Sequence, residues 1–200
     1  MAITAEQVKA LRDRTGAGMM ECKAALTETG GNLEEAITVL RKRGLAQAAK
    51  RSGRATKQGM VGSYIHLGGK VGVLVEVNCE SDFVARTETF QTLVKEIAMQ
   101  IAAADPRYVS REQVPSAELE KEKEIVRAQF AGSNKPAAVI EKIVEGKLDA
   151  FYERSVLLDQ PSIRDGAVKV SQMIAAAVAQ TGENITVSRF ARFKLGEASE

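Results

Sequence analysis

The sequence predicts an α+β protein: a small three-helix module, then a helix-covered antiparallel sheet that carries a helical hairpin. Three observations predict it. The first 45 residues hold three short segments of helical apolar spacing, separated by glycine breaks. Between residues 59 and 79 the spacing switches from helical to alternating. From residue 88 helical spacing returns, and one more alternating segment follows near the C-terminus.

In chain order, Thr4 and Gln7 fit a capping box, and Ile3, Val8 and Leu11 give the first helix an apolar side. Gly16-Ala17-Gly18 breaks it. Met19, Cys22 and Leu26 then recur at helical spacing, and Gly30-Gly31 breaks the chain again. Asn32 with Glu35 is a second cap signature, followed by Leu33, Ala36, Ile37 and Leu40, with Gly44 as the expected stop. Residues 1–45 therefore form one module, small for an independent core. Residues 46–58 read as a basic linker, although Leu45 to Arg51 is rich enough in alanine for helix.

The domain expected over 59–200 opens with a strand from Met60 to Leu67, a turn at Leu67-Gly68-Gly69-Lys70, and a second strand. In that strand Val71, Val73, Val75, Val77 and Cys79 share one face. A long helix is expected from Glu88 to Ala104, ended by Asp105-Pro106. Its inner positions are Phe90, Leu93, Val94, Ile97, Ala98, Ile101 and Ala102. Residues 116–156 read as a charged helical hairpin, like an antiparallel coiled coil. Ser116 caps its first helix, Gly132-Ser133-Asn134 breaks it, and Lys135-Pro136 starts the second. Ile140, Ile143, Val144, Leu148 and Phe151 form the seam. A final helix runs near Val168 to Gln180. The last strand, Ile185 to Leu195, is expected to turn Ile185, Val187, Ala191, Phe193 and Leu195 to one side.

Composition excludes several classes. With 44% apolar and 27% charged residues the chain is a soluble globular type, with no run able to span a membrane. Its start lacks the pattern of a secretory signal. Cys22 and Cys79 make neither a disulfide framework nor a CxxC pair, so a cytoplasmic protein is expected. The single histidine, His66, argues against His-based triads and histidine-rich metal sites. Gly16-Ala17-Gly18 has Glu21 where a dinucleotide fingerprint needs its third glycine, and Gly68-Gly69-Lys70 lacks the phosphate-loop spacing. Asn184-Ile185-Thr186 matches a glycosylation acceptor without meaning for a cytoplasmic chain. No enzyme chemistry, metal or cofactor is expected.

Two segments stand out. Arg41, Lys42, Arg43, Lys50, Arg51, Arg54 and Lys57 form a basic run without an acid, in a chain whose net charge is only +2. It reads as a solvated linker or as an RNA- or ribosome-binding arm. The other is Asn78-Cys79-Glu80-Ser81-Asp82-Phe83-Val84-Ala85-Arg86, between a patterned strand and a patterned helix. Either Phe83 folds into the core while Ser81 or Asp82 caps the next helix, or Phe83 is an exposed wedge beside a carboxylate. The residues alone favour the first. Met19 and Met20 likewise read as core before contact, and His66 as a surface strand residue.

Leu11-Arg12-Asp13-Arg14-Thr15-Gly16-Ala17-Gly18-Met19-Met20-Glu21-Cys22-Lys23-Ala24-Ala25-Leu26 resembles the N-terminal module of the bacterial elongation factor Ts family. Val75 to Ala85 resembles its second signature, and Gly182-Glu183-Asn184-Ile185, with Arg189-Phe190 and Arg192-Phe193, its ending. The resemblance covers essentially the whole chain. It implies a three-helix module like the ubiquitin-associated fold, and a guanine-nucleotide exchange factor for elongation factor Tu that is not an enzyme. It favours the wedge, and carries the Mg²⁺-displacing role to Ser81, Asp82, Phe83 and Val84. Binding of the GTPase through the N-terminal module carries over to Lys9, Arg12, Met19 and Met20. A ubiquitin-type adaptor is a weaker alternative, resting on that module alone. Longer members have two core halves where this chain has room for one. A homodimer is therefore expected, with His66 of one subunit reaching the GTPase bound to the other, and with no direct contact to nucleic acid or membrane. Ser81 stands where threonine is commoner, which keeps the hydroxyl cap.

Overall fold

A computed structural model of the chain describes residues 3–130 and 136–197. The elements are α1 (Ala5–Thr15), α2 (Met19–Glu28), α3 (Leu33–Arg51), β1 (Gln58–Ile65), β2 (Val71–Cys79), α4 (Asp82–Ala85), α5 (Glu88–Ala104), α6 (Ser116–Gln129), α7 (Ala137–Ser155), α8 (Val170–Thr181) and β3 (Ile185–Lys194). The strands form one antiparallel sheet in the order β1-β2-β3. The molecule is α+β, as the spacing predicts. The expected break at Gly132-Ser133-Asn134, and Lys135, lie outside the described residues. Two compact units divide the chain. One comprises 1–62, 76–96 and 172–188, the other 63–75, 97–171 and 189–200.

In the first unit the cap signatures act as read. The Thr4 hydroxyl accepts from the Gln7 amide at 3.2 Å while the Gln7 side chain accepts from the Thr4 amide at 3.0 Å. Asn32 accepts from the amides of Glu34 and Glu35. Gly16 ends α1 in the left-handed region at φ 66°. Val8, Leu11, Cys22, Ala25, Leu26 and Ala36 make the core. Met19 is not among them, which corrects its reading as an inward residue.

Gly44 does not stop α3, and the helix runs on through the first half of the basic segment to Arg51. A Cβ at position 44 would stand 3.7 Å from the Ala179 Cβ and 3.8 Å from the Ala175 carbonyl, both on α8. Both are ordinary packing distances, so Gly44 is a helical residue facing α8, and sequence alone cannot tell such a glycine from a terminator.

β2 buries Val73, Val75, Val77 and Cys79, and α5 buries all seven positions read from its spacing. β1 begins at Gln58 and α8 at Val170, each two residues from expectation.

In the second unit Pro115, not Ser116, occupies the cap position of α6, and no side chain caps it. α6 and α7 pack together along a narrow seam marked by Val126, Val144 and Phe151. Arg127 donates twice to Glu141 across it, at 3.0 and 3.1 Å. Val114, Phe151 and Val156 form a small core with Tyr108, Leu119 and Tyr152. The far end of β3 reverses the expected alternation. Phe193 is 68% exposed and Leu195 is exposed too, while the Arg192 side chain is sheltered. The C-terminal end of α5 is the reason: Arg192 donates to the Ala102 carbonyl at 3.3 Å and pairs with Asp105 at 3.2 Å.

Candidate functional site: an anchored aromatic loop

β2 ends at Cys79, so the amides of Glu80 and Ser81 lie beyond its strand. Both donate to one carboxylate oxygen of Glu183, at 3.1 and 2.9 Å, and the Ser81 hydroxyl donates to the other at 2.5 Å. That hydroxyl accepts from the Val84 amide at 3.4 Å and so caps α4. Val84 is buried and holds the turn down from within. Thr87 then closes the junction, donating to the Val84 carbonyl at 2.7 Å. Phe83, on the opposite side of this turn, is 79% exposed.

The four residues thus divide their work. Ser81 and Val84 fix the backbone. Asp82 pairs with Arg86 at 2.8 Å, an exposed pair worth about 0–1 kcal/mol, so it orients charge more than it stabilises. Phe83 is presented. The inward reading of Phe83 is overturned, because α4 is a single capped turn that seats Val84 and leaves its neighbour outside. Burial, followed by the Glu183 carboxylate nearby, pushes the Cys79 thiol up, so it stays a small neutral core group.

The residues expected to contact a partner through the N-terminal module are all on its surface. Lys9 and Arg12 are exposed on α1, and Met19 and Met20 are 55% and 75% exposed at the start of α2. Gln180 of α8 donates to the Thr15 carbonyl at 3.0 Å, immediately before the turn that leads to those methionines. His66, in the β1–β2 turn of the other unit, is exposed, with the Tyr64 hydroxyl 3.0 Å from its Nδ1. Among the described residues no group of three or more His, Cys, Asp and Glu side chains could hold a metal ion, and no helix is long and apolar enough to cross a membrane.

Glu183, Glu80 and Asn184 are neighbours that hold the loop and that the sequence reading does not single out. Glu80 accepts from the Asn184 amide at 2.6 Å and pairs with Arg54 at 3.5 Å. The buried Asn184 amide group donates to the carbonyls of Ser52 and Arg54. The bonds made by Asn184 span more than a hundred residues, beyond any periodic pattern. The one available signal was a carboxylate directly after Gly182, in a segment already noted for its resemblance.

Fold and loop define a class: α+β proteins that present a surface aromatic on a backbone-anchored turn beside a three-helix module. Comparison with known proteins narrows that class. The family model described as Elongation factor TS matches residues 1–197. An elongation factor Ts of Koribacter versatilis is 58% identical over the whole chain and 91% of its own length. Those of Caldanaerobacter subterraneus and Fervidobacterium nodosum are each 57% identical, over 99% and 98% of this chain and 99% and 100% of theirs. The chain belongs to the elongation factor Ts family.

Proposed function

We propose that this chain is a cytoplasmic guanine-nucleotide exchange factor, not an enzyme, for elongation factor Tu. It binds the GDP form, displaces Mg²⁺ with the Phe83 loop, and lets GDP leave so that GTP enters during translation elongation. One observation carries the reading: an aromatic ring held outside its own fold on a turn anchored by the Glu80, Ser81 and Val84 amides.

The physics is linkage. GDP is held by a phosphate cradle and by Mg²⁺ bridging to protein. A partner that prefers the conformation lacking those contacts weakens GDP, and GDP weakens the partner by the same factor. Seating one Phe in a pocket supplies roughly 1.5–3 kcal/mol. Each tenfold loss of nucleotide affinity needs about 1.4 kcal/mol, so a large acceleration requires a second surface. Lys9, Arg12, Met19 and Met20 of the module over 1–45 supply it. Residues 46–58 connect that module to the core over 59–200.

The core pairs with a second copy. Within the second unit Ile65, Leu74, Phe193 and Leu195 are all exposed. The His66–Val71 and Leu195–Lys70 backbone bonds put them on one face of the sheet. Ile65 lies over Gly72, whose missing Cβ leaves room for its Cδ1. A second copy covering this face would bring His66 of one subunit toward the GTPase held by the other.

Stopped-flow release of a fluorescent GDP analogue from elongation factor Tu tests the reading. Phe83→Ala is expected to slow stimulated release about 10- to 150-fold, the loss equivalent to one buried Phe, with the fold intact. Unchanged release overturns it. The exchange reading assigns no nucleic-acid contact. Three of the seven cations of the basic run are engaged within the fold, Arg43 by Glu28, Arg51 by Gln47 and Arg54 by Glu80.

A further inference from the structure

We infer that Glu183 is a positioning residue for exchange: its carboxylate sets the orientation in which Phe83 is offered. The inference rests on the reading of Phe83 given above and names a group that acts through it.

Glu183 takes three hydrogen bonds from two consecutive residues, the amides of Glu80 and Ser81 and the Ser81 hydroxyl. A carboxylate can accept all three because it has two oxygens and no hydrogen of its own. The hydroxyl has a single hydrogen. Committing it to Glu183 leaves a lone pair free for the Val84 amide, so the bond from outside fixes the cap inside. Glu80 returns the exchange by accepting from the Asn184 amide. The 80–81 and 183–184 segments therefore hold each other through crossed carboxylate–amide bonds, and charged acceptors make these bonds stronger than neutral ones. The Asn184 side chain ties the same clamp to the chain just after α3, through the Ser52 and Arg54 carbonyls. Phe83 itself makes none of these bonds and inherits its place from them.

Removing the carboxylate orphans two amides and frees the hydroxyl to turn. The loop then samples other arrangements, and the fraction of molecules offering the ring correctly falls. Apparent strength of engagement falls by that same fraction. Glutamine keeps one oxygen for the two amides but cannot take the hydroxyl hydrogen on its NH₂ group, so it restores part of the effect.

The test is a double-mutant cycle on stimulated release of fluorescent GDP from elongation factor Tu, with amide hydrogen exchange read on the free factor. Glu183→Ala is expected to slow release about tenfold when Phe83 is present and less than about twofold in the Phe83→Ala background. Glu183→Gln should fall between. Amides of Glu80, Ser81 and Val84 should exchange faster in Glu183→Ala while those of Val8, Leu11 and Leu26 do not change. Equal slowing in both backgrounds overturns the inference, because a merely structural residue would act without the ring. So does normal release by Glu183→Ala. Should that variant fail to fold, the same cycle with Glu183→Gln decides, an additive or absent effect again overturning the inference. Normal release by Phe83→Ala alone defeats the underlying reading instead, and the amide exchange then still reports whether the clamp holds the loop.

Discussion

Leaving Phe83 in water sacrifices part of its transfer free energy, yet the fold recovers what the loop needs from Val84 and from the Glu183 bonds. An anchored ring also loses little entropy on docking, because its backbone is already ordered. Single residues matter as much in the second unit. Gln100 and Gln160 are buried side by side: Gln100 donates to the Gln160 side chain and the Pro161 carbonyl at 3.1 Å each and accepts from the Ile163 amide at 2.8 Å. Gln160 donates to the Ala104 and Arg154 carbonyls. Replacing Gln100 by Leu keeps the volume and orphans its partners. Denaturant unfolding should show a loss of about 2–4 kcal/mol, and a loss under 1 would mean that water replaces the network. The spacing of α5 names its apolar residues but is silent on Gln100, since a buried amide is legible only once its partners are known.

Among the elements, α5 was readable to both ends because its apolar positions recur without interruption and Asp105-Pro106 follows. The caps of α1 and α3 were readable because capping is local. The far end of β3 was not, because alternation assigns an arginine to solvent unless a helix C-terminus waits for it. The same limit explains α3. Gly44 is helical, and a methyl group there meets only ordinary contacts at 3.7 and 3.8 Å. Gly44→Ala should therefore stabilise the protein by about 0.5–1 kcal/mol in denaturant unfolding, by helix propensity. A destabilised variant would show that α3 and α8 lie closer than this. Gly59 provides the contrast at an element's edge. Its φ is 140°, and a Cβ would stand 2.2 Å from the Val77 carbonyl oxygen, on backbone that cannot step aside. Gly59→Ala should cost more than about 2 kcal/mol by the same measurement.

For the whole molecule, the account requires two surfaces on the GTPase and a second copy across the exposed sheet face. Phe193→Asp places a charge on that face. Sedimentation equilibrium should give a dimer for the parent chain and a monomer for the variant, whose exchange activity falls with dimerisation. A parent chain that is monomeric while fully active would remove the second copy from the mechanism. The proposed site is legible in the sequence only through the family resemblance, since the residues alone favour a buried Phe83, and Glu183 is illegible because the fold alone brings it to the loop. The central claim is that Phe83 acts by dislodging Mg²⁺. GDP release stimulated by the wild-type factor and by Phe83→Ala, compared in excess Mg²⁺ and again after chelation, tests it most directly. The account predicts a gap of at least about tenfold with Mg²⁺ present, closing when the metal has already been removed. An equal gap under both conditions would contradict it.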